Sequence, residues 1–125
     1  MIDKHFLLYI AVFYNFGFAL FHLFFWKIFN WKEDLQKLNF ANRGIIQVFN
    51  VLGIFYFVFT GIICFLFQDD LVLSRLGKAF LLMNSLFWLI RLIVQFIFLR
   101  KNHWLVHTLS LVFLLGFLLF LYLTL

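Results

Sequence analysis

Asn84, Trp88, Arg91 and Gln95 follow one another at spacings of four, three and four residues. On a helix turning about 100° per residue, that spacing gathers them within an arc of roughly 60°. They stand inside an apolar run, 78–99, long enough to cross a bilayer. An arginine there costs ~2.5–3.5 kcal/mol on insertion scales, so it normally faces protein or water. No carboxylate falls within any long apolar run: Asp3, Glu33, Asp34, Asp69 and Asp70 lie between the runs or near the terminus. Arg91 therefore needs compensation from elsewhere. The candidates are the amide oxygens of Gln47, Asn50 or Gln95, a folded-in Glu33 or Asp34, or an anionic ligand. A guanidinium pairs with carboxylate or phosphate through parallel hydrogen bonds, so the chemistry this stripe offers is anion recognition. Trp88, one turn before Arg91, is placed to stack on the guanidinium or on an apolar ligand tail.

Three more apolar runs must position this stripe. With spans at about 6–28, 45–67, 78–99 and 104–124, the sequence predicts an all-α, four-helix transmembrane bundle of antiparallel, up-down topology. The whole chain is then one integral membrane domain. Each further run also carries one polar stripe. The first has Asn15, His22 and Trp26. The second has Arg43, Gln47 and Asn50, with Gly61 further along. The fourth has His103, His107 and Ser110. At 1.5 Å per residue, His22, Gln47, Asn50, Arg91, Gln95 and His107 fall within roughly 5–12 Å of one membrane face. The expectation is one ligand-binding pocket formed by His22, Gln47, Asn50, Asn84, Trp88, Arg91, Gln95 and His107. A blander role competes with it. Polar groups in membrane bundles also act as glue, at ~0.6 kcal/mol per interhelical hydrogen bond, and Arg91 can snorkel to the headgroups.

Composition excludes most other classes. The chain of 125 residues is 66% hydrophobic, against 45–50% for soluble domains, and has no proline. Its net charge of +5 sits beside membrane, where it suits topology and anionic lipid, and nothing points to nucleic acid. Cys64 is alone, so there is neither an internal disulfide nor a CxxC dithiol. His103 and His107 have the spacing of a two-imidazole metal grip, but His22 is the only third ligand on offer. No metal and no cofactor are expected. Ser85, Ser110 and Thr108 lack a triad signature. The one enzyme that can be assembled uses His22 or His107 as base and Arg91 as electrostatic stabiliser.

Along the chain, the first run has no small-x-small cleavage site and reads as a retained helix. Asn30 with Glu33 resembles a capping box, and Trp31, Leu35 and Leu38 share a face suited to the membrane surface. Asp70 is expected to cap a helix over Leu71–Leu76. The connection 100–103 is tight and forces runs three and four into a hairpin. Lys27, Lys32, Lys37, Arg43, Arg100 and Lys101 lie on one side, against Lys4, Arg75 and Lys78 on the other. That puts loops 1–2 and 3–4 in the cytoplasm and both termini outside, in the cell membrane (the inner membrane of a bacterium).

The stretches His22–Trp26, Trp31–Leu35 and Asn42–Asn50, continued by Gly77-Lys78 and Trp88–Arg91, resemble a group of small bacterial four-helix membrane proteins of uncharacterised function. The resemblance covers most of the chain and implies a fold but no activity. In size the chain is also similar to DoxX-like proteins and to MAPEG enzymes. It lacks the intramembrane glutamate that MAPEG-type helices would suggest.

Three function classes follow. The first is a binding or transport-related protein with a cytoplasm-facing polar pocket for a small anionic or amphiphilic ligand. The second is a structural or accessory subunit, and the third a membrane enzyme acting on a lipophilic substrate. The partners implied are the lipid bilayer, an anionic amphiphile or small organic anion, and a second copy in a homo-oligomer.

Overall fold

The computed structural model describes residues 2–125, and these are helical almost throughout, with no strand among them. The helices are α1 (Lys4–Leu23), α2 (Phe25–Ile28), α3 (Trp31–Asp34), α4 (Phe40–Leu66), α5 (Gln68–Leu73), α6 (Arg75–Phe98) and α7 (Trp104–Thr124), with a 3₁₀ turn at Leu35–Lys37. Four of them, α1, α4, α6 and α7, are long and apolar enough to cross a membrane. Large side chains stand bare along all four, among them Phe13 at 75% exposure and Phe98 at 78%. A water-soluble monomer rarely carries apolar surface on that scale, whereas lipid solvates it. The protein is an all-α, multi-pass membrane protein.

The chain forms two compact units. One comprises the start of the chain up to Ala11 with Phe67–Leu125, the other Val12–Leu66. In the first unit α6 and α7 are an antiparallel hairpin. Ser85 Oγ donates to the Phe117 carbonyl, Trp88 stacks on Phe113, and Gln95 Nε2 donates to the Val106 carbonyl. The pairs run in opposite directions along the two helices. The connection spans 99–103, because α6 already ends at Phe98. At the other end of α6, Ser74 takes extended geometry and its Oγ accepts from the Gly77 N–H at 2.9 Å while donating to the Asp70 carbonyl at 2.5 Å. The cap is thus Ser74. Asp70 lies in the first turn of α5, whose flanking residue is Phe67, and the expected helix over Leu71–Leu76 breaks at Ser74. Gly77 lets α5 and α6 meet backbone to backbone: a Cβ there would overlap the Asp70 oxygen and the Leu71 Cα. His5 Nε2 and Asp69 Oδ1, 2.8 Å apart, tie the start of α1 to α5.

In the second unit α1 and α4 also run antiparallel. Trp26 Nε1 donates to Gln47 Oε1, Asn50 Nδ2 to the His22 carbonyl, and the Phe16 ring covers Gly61. The helix expected over 6–28 loosens at Phe24, whose N–H is shared between the Leu20 and Phe21 carbonyls, and resumes as α2. Asn30 adopts left-handed geometry (φ 52°, ψ 47°) and caps nothing with its side chain. Its Nδ2 reaches Glu33 Oε2 at 3.3 Å, which is a side-chain pair and not the expected capping box. The working cap is Asn39. Its Oδ1 accepts from the Asn42 N–H at 2.8 Å, and α4 starts at Phe40, before the expected span at 45. Leu35 is buried beneath this connection while Lys32, Glu33 and Lys37 face outward.

Candidate functional site

The eight candidate residues divide between the units. Asn84, Trp88, Arg91, Gln95 and His107 belong to the first, and His22, Gln47 and Asn50 to the second.

In the second unit the polar groups largely satisfy one another. Gln47 takes the Trp26 N–H on its oxygen and gives its own N–H to the Arg43 carbonyl at 3.1 Å. Both ends of that amide are engaged. His22 Nδ1 lies 2.8 Å from the Phe18 carbonyl, so Nδ1 carries the proton and Nε2 is the lone-pair nitrogen of the neutral ring. The imidazole stacks on Phe25 at 4.2 Å and rests against Phe57 at 5.0 Å. Gly53, with no side chain, faces its Cδ2. Asn50 is 5% exposed, and its Oδ1 has no hydrogen-bond partner among the described residues, although its Nδ2 is used.

In the first unit the α6 stripe forms as its spacing predicts. Asn84, Trp88 and Gln95 are buried; Arg91 is half-buried. Asn84 donates to the Phe80 carbonyl within its own helix. Arg91 Nη1 donates to Gln95 Oε1 at 3.1 Å, so Gln95 is the amide that compensates the cation. The aromatic ring beneath the guanidinium is Phe113, at 4.5 Å, and not Trp88. Trp88 lies flat on Phe113 instead, at 5.7 Å and 23°, because the antiparallel register brings Phe113 between the two α6 side chains. One hydrogen bond to a charged group (~1.5–3 kcal/mol gross of geometry) and one cation–π contact (~0.5–2 kcal/mol) roughly match the insertion cost of an arginine. Among the described residues, only one of the five guanidinium N–H donors is used this way. Neither α6 nor α7 nor their connection contains an acidic residue.

The polar chain continues outward from Arg91. Gln95 Nε2 reaches the Val106 carbonyl at 3.4 Å, and Ser110 Oγ donates to that same oxygen at 2.8 Å. Val106 and Ser110 are walls of a groove of about 440 Å³ at the α6–α7 turn, shared with Phe96, Leu99, Arg100, Lys101, Asn102 and His107. That volume is in the range of small-molecule sites. His107 is exposed at its rim and donates from Nε2 to Asn102 Oδ1 at 2.8 Å. His103 accepts the Leu105 N–H on Nδ1, so that lone pair caps α7 and is not presented outward. Among the described residues no three His, Cys, Asp or Glu side chains gather as a metal site would.

Spacing within single helices does not single out Arg100, Lys101, Asn102, Phe96 and Leu99. A signal for them was present. Residues 1–74 hold five basic and five acidic side chains, whereas 75–125 hold five basic and none acidic. The entire net charge of the protein resides on the α6–α7 side of the sequence. Set against models of protein families, curated proteins and solved structures, the chain matches none.

Proposed function

We propose that the protein binds a small anionic amphiphile, such as a fatty acid, at the cytoplasm-facing end of the α6–α7 hairpin. Arg91 is the recognising group. The observation that carries this reading is a half-buried guanidinium with a single protein hydrogen bond, on a hairpin free of carboxylates. Phe113 and Trp88 hold the cation's other face in an apolar setting, where an incoming carboxylate meets little competing water. The orientation, with the α6–α7 turn in the cytoplasm, follows from the excess of Lys and Arg in that connection and in 27–43.

Thermal stability in a non-ionic detergent tests it, because a ligand that binds only the folded state raises stability by mass action. A long-chain fatty acid should stabilise the wild type more than the matching alcohol. Arg91→Leu should lose that difference while remaining folded, since the substitution removes an insertion cost. Arg91→Lys keeps the charge without the planar fork and should fall between. Equal stabilisation of wild type and Arg91→Leu would refute the reading.

A second reading is favoured by one feature: Gln47 and Gln95 each have both amide ends engaged within the protein. That is what helix-holding polar groups look like, and it suits an accessory subunit. Under this reading Gln95→Leu destabilises the protein and no amphiphile discriminates between wild type and Arg91→Leu.

A further inference from the structure

The groove at the α6–α7 turn is a site in its own right. One wall is apolar, made by Phe96, Leu99 and Val106; the rim is cationic and polar, made by Arg100, Lys101, Asn102 and His107. Arg100 and Lys101 are exposed, and no carboxylate stands anywhere in 75–125 to neutralise them. Neither takes part in an ion pair with the acidic residues of the described chain. Because His107 donates from Nε2, its Nδ1 is an acceptor in the neutral ring, suited to a hydroxyl on the ligand. The turn lies between two membrane-crossing helices and so at the depth of lipid headgroups.

We propose that this groove seats the headgroup of an anionic phospholipid. The phosphate lies against Arg100 and Lys101, a headgroup hydroxyl against His107 and Asn102, and the first acyl carbons along Phe96, Leu99 and Val106. The choice of occupant rests on charge complementarity and on the pairing of one cationic rim with one apolar wall. A small soluble anion leaves the wall unused, and a zwitterionic lipid leaves the rim unbalanced. The site is separate from Arg91 and stands whether or not Arg91 recognises an anion.

The test is native mass spectrometry and thermal stability of the purified protein in dodecyl maltoside. The probes are phosphatidylglycerol, phosphatidylcholine and inorganic phosphate. Phosphatidylglycerol should bind at least tenfold more tightly than phosphatidylcholine, and inorganic phosphate should produce no comparable stabilisation. The double variant R100Q/K101Q should lose that preference, and Arg91→Leu should keep it. K27Q/K32Q, which removes the same charge from exposed positions elsewhere, should also keep it. Asn102→Trp fills the groove while leaving both cations. It should weaken phosphatidylglycerol binding as well, which covers the case in which removing two loop charges disturbs insertion. The proposal is overturned if the two lipids bind alike, if inorganic phosphate accounts for the whole effect, or if K27Q/K32Q costs as much as R100Q/K101Q. It is likewise overturned if the preference survives Asn102→Trp. If the preference disappears in Arg91→Leu and persists in R100Q/K101Q, the anion sits on Arg91, and the groove assignment fails while the proposed function stands.

Discussion

Gly77→Ala should destabilise the protein, although helix propensity alone predicts the reverse. In the middle of a helix, alanine is favoured over glycine by about 0.8–1 kcal/mol. Gly77 stands in the first turn of α6, where its N–H caps onto Ser74 Oγ at 2.9 Å. A Cβ at this position would overlap the Asp70 oxygen and the Leu71 Cα and stand 2.6 Å from the Leu71 oxygen. All three are backbone atoms, so no rotamer change relieves the clash, and α5 must move away from α6. Forced overpacking typically costs ~1–3 kcal/mol. The movement also strains the Ser74 cap, worth ~1 kcal/mol. Set against the propensity gain, the net effect is a loss of about 1–3 kcal/mol. Gly44→Ala is the internal control. It lies in α4, is exposed, and nothing stands within 4 Å of the added Cβ. It should be neutral or stabilising by up to about 1 kcal/mol. Unfolding by SDS in mixed micelles, followed by helicity, reads both variants on one scale. If Gly77→Ala is as stable as Gly44→Ala, the close approach of α5 to α6 is wrong.

Other perturbations follow from particular contacts. Asn30→Ala should cost ~1–2 kcal/mol, because φ 52° is strained for alanine, whereas Asn30→Gly should be tolerated; thermal melts of the pair decide it. Ser85→Ala removes the hydrogen bond to the Phe117 carbonyl and should cost about 0.6 kcal/mol, a small but resolvable shift in the same SDS titration. Cys64 is fully buried, so a maleimide should leave it unlabelled in the folded protein and modify it after denaturation, as mass spectrometry would show. Single cysteines placed at Gln36 and at Thr124 should be labelled from opposite sides of the membrane, and labelling from the same side would contradict the four-span reading.

Much of this was legible from hydropathy and spacing, because in lipid the backbone must bond internally and long apolar runs have few options. The four spans follow from that constraint, and the stripe of α6 from the 3.6-residue period. Burial of Asn84, Trp88 and Gln95 agrees with it. Local punctuation was harder to read. Asn30, Asn39, Asp70 and Ser74 are all acceptable caps by residue type, and backbone geometry alone selected Asn39 and Ser74. The loosening at Phe24 has no proline or glycine to announce it. The ring under Arg91 was hard to read for a different reason. Spacing within one helix names Trp88, but the partner is fixed by the register of α6 against α7, which brings in Phe113. The groove depends on the same register, so its walls could not be assembled from one helix at a time.

The central claim is that Arg91, one helical turn after Trp88, recognises an anionic headgroup. The most direct measurement is Trp88 fluorescence in W26F/W31F/W104F, which leaves Trp88 as the only tryptophan. The protein in non-ionic detergent is titrated with a brominated fatty acid and, separately, with the matching brominated alcohol. A charge-assisted hydrogen bond worth ~1.5–3 kcal/mol corresponds to about 10–100-fold in affinity. The acid should therefore quench Trp88 saturably and at least tenfold more tightly than the alcohol, and adding Arg91→Leu should bring the acid down to the alcohol's level. Equal quenching by acid and alcohol, or an acid preference that survives Arg91→Leu, would contradict the claim.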